Sequence, residues 1–369
     1  MSEKILVFSD LHAHNHKAYS RDNDKAQNSR LKVAIDALDQ MLEYALENGI
    51  YRVIFAGDLF DTKKRVHVGP LNAVYDLMSK WAPYCMDVLM IPGNHDFATR
   101  TGEDHSLEIF RHIPGFVVVD EPSVVEWSGF KVCCVPYRDE FQPEWFEDAD
   151  FFVGHGAVEG LCQVPVSFDE DPDAPNGEWI RQSWLRKYKF SAVGHIHDPV
   201  FQSTSNGVIL VPGCPYQDDP YGSVKDRGFW IFDPEEPSVN LVQSRSPRFI
   251  RIKIKKDGEV CKSEEGDIQG NIMLVEPDSH MVSSHRLIRF EEELYQKGAN
   301  YVQIIDPEST EEDSMDAAVR VQMSPHDDEK EVLQKVLDSG LIDLKGLSFD
   351  ELFTLGCEIL GEVAEEGKK

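Results

Sequence analysis

Apolar positions along the chain come in short runs that stop at polar clusters, and these runs alternate with stretches of helical spacing. Residues 4–9 (KILVFS) are a brief apolar run of the kind a buried strand shows. Leu31, Ile35, Leu38, Leu42 and Leu46 recur at helical spacing and predict a helix over 31–47, with Gly49 placed to end it. A second strand is predicted at 51–56, a second helix at 71–81 and a third strand at 88–91. This β-α-β-α-β order implies parallel strands joined by crossover helices. Further strands are predicted at 116–119, 131–135, 151–153, 191–193, 208–211, 228–232 and 239–243. Their close spacing predicts a more antiparallel second half and two sheets packed face to face, with helices outside.

Near Pro247 the pattern changes. Residues 249–254 (FIRIKI) alternate apolar and basic side chains, as a half-exposed strand does. Strands at 271–275 and 301–305 and a helix near 287–296 follow, and 319–323 fits a further strand inside an acidic stretch. Two apolar helical patterns occupy 331–369, around Val332–Leu337 and Leu352–Leu360. The reading is three parts: 1–246, a small α+β domain at 247–330, and a helical tail at 331–369. The tail follows a complete domain, so docking onto a partner and packing on its own chain are comparable expectations.

Composition narrows the functional classes. The 369 residues are 41% hydrophobic, which excludes wholesale disorder. No apolar run approaches the ~18 residues of a membrane span, and the N-terminus lacks a secretory cleavage pattern. The seven cysteines are an odd number without a C-x-x-C pair, as expected of reduced, mostly buried thiols in a cytoplasmic protein. The formal charge of -29 argues against strong binding of nucleic acid by the chain alone, since lysine and arginine supply most phosphate affinity. The imbalance is uneven, with 28 acidic against 14 basic residues in 251–369. DNA therefore stays open as a substrate if metal ions, local basic loops or a partner supply the attraction.

Five polar motifs each follow an apolar run: Asp10-Leu11-His12, Gly57-Asp58, Gly93-Asn94-His95-Asp96, Gly154-His155 and Gly194-His195-Ile196-His197. Alone, an Asp-x-His is usually a turn and a Gly-Asp says less still. In a parallel sheet, however, strand carboxyl ends converge on one edge, where sites form. The set offers carboxylate, amide and imidazole donors without thiolates, a mixture suited to Mn²⁺, Fe²⁺ or Zn²⁺. With His95 left aside, two carboxylates (Asp10 and Asp58), one amide oxygen and four histidines make seven groups, too many for one ion and suited to two ions sharing a carboxylate, about 3.5–4 Å apart, as in phosphoryl hydrolysis.

In this order the motifs resemble those of the calcineurin-like metallophosphoesterase superfamily, whose fold is a two-sheet β-sandwich flanked by helices (α/β, or α+β). The resemblance implies that Asp10, His12 and His197 hold one metal, that Asn94, His155 and His195 hold the other, and that Asp58 bridges them. It implies that His95 contacts the scissile phosphate and stabilises or protonates the leaving oxygen, with Asp96 orienting its ring. The implied cofactors are two divalent ions, Mn²⁺ foremost, with Mg²⁺, Fe²⁺ or Zn²⁺ open. Gly57-Asp58-Leu59-Phe60, the Pro212–Gln217 run (PGCPYQ), Arg227-Gly228-Phe229-Trp230 and Pro247-Arg248-Phe249-Ile250 are further similar to SbcD-type nuclease subunits, most of all the bacteriophage versions. That resemblance implies a small capping domain, a tail bound to an SbcC-type coiled-coil ATPase, a homodimer, DNA as substrate and a role in repair or recombination. Many cellular members carry a histidine after Gly-Asp-Leu-Phe; here the position is Asp61, which leaves the balance of exonuclease and endonuclease activity open.

Other residues are candidates for substrate contact. His14 and His16 are placed on a substrate-facing loop. Lys17, Arg21, Lys25 and Arg30 punctuate residues 13–30, and Lys63, Lys64 and Arg65 follow the bridging motif, so both runs are candidates for the phosphate backbone. Tyr137 and Arg138 are weaker candidates. His67 and His105 read as surface residues. His12-x-His14 also suits the entry motif of amidohydrolases or PHP-type phosphoesterases, which does not explain Gly-Asn-His-Asp. A DNA nuclease subunit is the leading expectation. A stand-alone phosphatase or cyclic-nucleotide phosphodiesterase is the alternative, and a non-catalytic scaffold the third.

Overall fold

The structure, a computed structural model, describes residues 3–21, 28–61, 65–98, 104–161, 179–218, 220, 226–255, 260–262, 268–277 and 284–305. In chain order the elements are β1 (Ile5–Phe8), α1 (Ser29–Glu47), β2 (Arg52–Phe55), α2 (Val68–Ser79), β3 (Asp87–Met90), β4 (Phe116–Val118), β5 (Ser123–Trp127), β6 (Phe130–Val135) and β7 (Phe151–His155). There follow β8 (Ala157–Val158), β9 (Trp179–Ile180), α3 (Gln182–Leu185), β10 (Phe190–Gly194), β11 (Val200–Ser203), β12 (Val208–Val211), β13 (Gly228–Asp233) and β14 (Ser238–Gln243). The last are β15 (Phe249–Ile254), β16 (Val260–Lys262), β17 (Ile272–Pro277), α4 (Ser284–Gln296) and β18 (Tyr301–Ile304).

Two six-stranded mixed sheets, ordered β14-β13-β1-β2-β3-β4 and β11-β12-β10-β7-β6-β5, form the sandwich. Its central strands are buried on both faces, so they read as continuous apolar runs rather than alternating ones. Alternation decides which layer each side chain joins. Ile5, Val7, Ile54, Leu89 and Phe232 face the second sheet, against Phe151, Phe190 and Leu210. The Phe190 and Phe232 rings stack there with centroids 4.0 Å apart. Leu6, Phe8, Val53 and Phe55 point the other way, onto Leu31, Leu38 and Met41 of α1. Cys133, Phe152, Val193 and Ile209 form the outer face of the second sheet, under Leu185 and Tyr188.

Helix α1 starts where the side chain of Asn28 accepts the N–H groups of Arg30 and Leu31, and Gly49 past its end adopts φ +64°. The antiparallel expectation holds at the flanks, in β5–β6, β11–β12, β13–β14 and β1–β13. The centre of the second sheet differs: β6, β7, β10 and β12 are parallel. The half-exposed β5 and β11 edge strands lacked a long enough apolar run to be read from sequence.

Past Pro247, β16-β15-β17-β18 form a four-stranded sheet. Ile250, Ile252 and Ile254 pack with Met273, Val275, Leu294 and Val302, while Lys253 is exposed, so the FIRIKI alternation is realised. The strand expected at 319–323 and the tail at 331–369 lie outside the described residues.

Candidate metal centre

Parallel register brings the motifs to one edge. Phe8 pairs with Phe55 and Phe55 with Met90, so Asp10, Asp58 and Asn94 all leave the same end of the first sheet. In the second sheet Gly194 pairs with His155, which sets His195 beside it. Backbone bonds join the exits: Asp10 N–H donates to the Gly57 carbonyl at 2.9 Å, and His195 N–H donates to Asp10 Oδ1 at 3.0 Å.

The turns are strained where the polar groups emerge. Asp10, His12, Asp58 and His195 all have positive φ, at 53°, 46°, 62° and 109°. Non-glycine residues rarely adopt that region, and such strain concentrates at functional sites. Gly57, at φ +96°, has no room for a Cβ, which would overlap the His155 ring and the Gly93 backbone.

The donors form two groups. Asp10, His12 and His197 each offer an atom within 4.8 Å of the others, and so do Asp58, His155 and His195. Asp58 Oδ2 reaches toward both, 3.3 Å from His155 Nε2 and 3.6 Å from His12 Nε2. Asn94 Oδ1 lies 3.0 Å from His155 Nε2 and 3.1 Å from His195 Nδ1. Asp10 and Asp58 are essentially unexposed. Among the described residues, the ion pairs they make are to histidines rather than to lysine or arginine.

Such a site suits cations. His155 Nδ1 donates to the Ala56 carbonyl at 2.7 Å, and His197 Nδ1 donates to Asp218. Both rings therefore present Nε2 inward, the arrangement by which a ligand histidine is oriented. The Nε2 atoms of His12 and His197 face each other at 3.0 Å, which two lone pairs tolerate only with a cation or proton between them.

Charge and burial set the protonation. Burial works against the charged ring of His155, yet Asp58 and Asp10 push it up to about 9. His197 is likewise raised to about 9: burial opposes, and Asp218 prevails. Burial and the neighbouring His155 lower His195 to about 3. Burial would raise the Asp58 carboxyl, but His155, His12 and His95 hold it far below the usual carboxylate range.

Two expectations for the surroundings need correction. Asp96 does not orient the His95 ring. Its carboxylate turns back beneath the β2 exit, accepting the N–H groups of Asp58 at 2.8 Å, Gly93 at 3.0 Å and Leu59 at 3.1 Å. The His95 Nδ1 instead donates to the Asp61 carbonyl at 2.6 Å. His105 is not a surface residue: its side chain is 2% exposed and bonds Asp120 at 3.1 Å.

The candidate substrate contacts divide. His14 and His16 are half-buried and lie with His67 in a cluster whose ring centroids are 5.1 and 5.5 Å apart. Arg65 is exposed, while Lys63, Lys64 and Lys25 lie outside the described residues. Arg30 is buried, donating to the Gln217 and Asp218 carbonyls and lying over the Tyr216 and Phe249 rings, so it braces the fold. Arg138 is similarly tied to the Asp120 carbonyl. Tyr137 stands 6.2 Å from both the His155 and His195 rings. Asp218 was missed from sequence; its adjacency to the Pro212–Gln217 run was the available signal.

The chain is 24% identical over 272 residues to exonuclease subunit 1 of Enterobacteria phage T4, covering 71% of this chain and 74% of that protein. A solved archaeal phosphodiesterase is 13% identical with a TM-score of 0.32, over 65% of this chain and 99% of that one. Residues 3–199 match the calcineurin-like phosphoesterase family, whose members use two divalent metals. With that match spanning more than half of its length, the chain belongs to the calcineurin-like phosphoesterase family, and it is a metal-dependent phosphoester hydrolase.

Proposed function

We propose that the protein is a DNA nuclease, the catalytic subunit of an assembly with an SbcC-type coiled-coil ATPase. The observation that carries this reading is Asp58, whose one carboxylate oxygen lies within 3.6 Å of histidines from both donor groups, with His95 beside it. Asp10, His12 and His197 would hold one ion, Asn94, His155 and His195 the other, and Asp58 both; Mn²⁺ fits this mixed oxygen and nitrogen set. Bound there, two divalent ions supply Lewis acidity at phosphorus and lower the pKa of water.

The remaining chemistry belongs to the chain. Asp58 Oδ1 accepts the His95 N–H at 2.8 Å, which fixes the backbone that carries this imidazole. Because Nδ1 of His95 donates to the Asp61 carbonyl, its Nε2 is the atom that gives a proton to the leaving oxygen. Burial of Asp10 and Asp58 excludes bulk water from the donor oxygens.

DNA, rather than a small phosphoester, is supported by likeness to a phage exonuclease subunit across most of the chain. In this reading residues 247–330 cap the site and contact DNA, 331–369 bind the ATPase, and the subunit acts in the cytoplasm as a homodimer in repair or recombination. The test is hydrolysis of linear duplex and circular single-stranded DNA with Mn²⁺, with and without the ATPase. Cleavage that the ATPase stimulates is expected. Activity confined to phosphomonoesters or cyclic nucleotides would replace this reading with the stand-alone phosphatase.

A further inference from the structure

Each inward-facing histidine of the site has an outer ring nitrogen that must be held. For His197 the holder is Asp218, and for His155 it is the Ala56 carbonyl. His12 differs from both. Its side chain is 6% exposed, and among the described residues its buried Nδ1 has no hydrogen-bond partner. The acceptor facing that nitrogen is Asp61 Oδ1, at 3.5 Å. The same carboxylate oxygen lies 3.8 Å from His95 Nδ1, and the Asp61 carbonyl accepts from that nitrogen at 2.6 Å. One residue thus touches the outer edges of two imidazoles whose ring centroids are 4.8 Å apart.

We infer that Asp61 is a positioning residue shared by His12 and His95, its carboxylate taking the Nδ1–H of His12 and its carbonyl the Nδ1–H of His95. The inference rests on the proposed roles of these two histidines. A half-ångström closure brings the 3.5 Å contact to ordinary hydrogen-bond length and removes the unsatisfied buried nitrogen. Ligand histidines generally donate their second ring N–H to such a carboxylate or carbonyl. Asparagine keeps an oxygen acceptor toward His12 and alanine removes it, while both keep the carbonyl that meets His95.

Titration of metal-stripped protein with Mn²⁺ by calorimetry tests the first half. Asp61→Ala should weaken one of the two ions about tenfold or more and leave the other unchanged, whereas Asp61→Asn stays within about threefold of wild type. Wild-type affinity for both ions in Asp61→Ala, or an Asp61→Asn as weak as Asp61→Ala, overturns the His12 brace. Leaving-group dependence tests the second half. The carbonyl that meets His95 stays in Asp61→Ala, so kcat should fall by the same factor on DNA as on bis(p-nitrophenyl) phosphate, whose leaving group needs no proton. A loss at least about tenfold greater on DNA would show that the carboxylate rather than the carbonyl holds His95 and overturn that half. If wild type binds two Mn²⁺ but cleaves no phosphodiester, the functional reading fails, while the titration still decides whether Asp61 positions His12.

Discussion

Asp96 lies beneath Asp58, its carboxylate accepting the Asp58 backbone N–H at 2.8 Å while Asp58 in turn accepts the N–H of His95 at 2.8 Å. The last residue of the Gly-Asn-His-Asp motif therefore holds the turn that presents the central carboxylate. Burial and the charge of Asp58 raise Asp96 to about 6, against the pull of its N–H donors. Asp96→Ala leaves three buried N–H groups without their acceptor, at roughly 1–3 kcal/mol each. Urea unfolding should show a loss on the order of 3 kcal/mol or more. Asp96→Asn should cost nearly as much, because its NH₂ must face an N–H. A variant of unchanged stability would show that these bonds are replaceable.

Asp218 carries the next expectation. It bonds His197 Nδ1 and is half-buried, and its own carbonyl accepts from Arg30 at 2.5 Å. Asp218→Ala should weaken Mn²⁺ binding by 10–100-fold, the usual consequence of losing such a partner. Arg30→Ala should give a smaller loss, since it removes only the support of the segment carrying Asp218. Calorimetric titration of both variants checks the order; equal losses would place the effect in the segment and not in the carboxylate.

The contrast between Asp96 and Asp218 shows how far sequence reading reaches. The motifs were legible because each ends an apolar strand, and parallel register then gathers them without further information. The two flanking sheets were legible because strands buried on both faces leave continuous apolar runs. What escaped was the set of groups acting through the backbone. The Ala56 and Asp61 carbonyls hold His155 and His95, and a carbonyl has no residue identity to recognise. Asp96 was misassigned because its neighbour in sequence is His95, whereas the turn points it back under β2. Arg30 resembled a surface cation because its ring contacts come from residues 186 and 219 positions away.

Thiol reactivity should follow burial. Cys85 is exposed, whereas Cys133, Cys134 and Cys214 are buried. Burial pushes all three of those thiols up, Cys134 and Cys214 well above the ordinary cysteine range. The thiolate is the reactive form, so at pH 8 iodoacetamide should label Cys85 within minutes and spare the three buried residues until the chain unfolds. Peptide mapping by mass spectrometry measures this directly. Rapid labelling of Cys133 or Cys134 in the native state would mean that the second sheet opens locally.

Metal affinity and metal-free stability should run in opposite directions with pH. His155 and His197 both stand at about 9 in the folded chain, above the ordinary histidine value of 6.5, because Asp58 and Asp218 favour the imidazolium against burial. A folded-state pKa above the unfolded one gives stabilisation that is complete below pH 6.5 and is lost as pH rises through 9. Protein stripped with EDTA should therefore melt at progressively lower temperature between pH 6.5 and 9. Binding of a divalent ion requires the bare nitrogens, so at pH 7 it must expel those protons. Apparent Mn²⁺ affinity should accordingly rise across the same window, and calorimetry in buffers of different ionisation enthalpy should register proton release. The Asp218→Ala variant separates the two histidines: its His197 loses the carboxylate that raises it, so it should release fewer protons at pH 7. Proton release that is absent in wild type, or unchanged in that variant, would show that His197 does not carry its proton through Asp218.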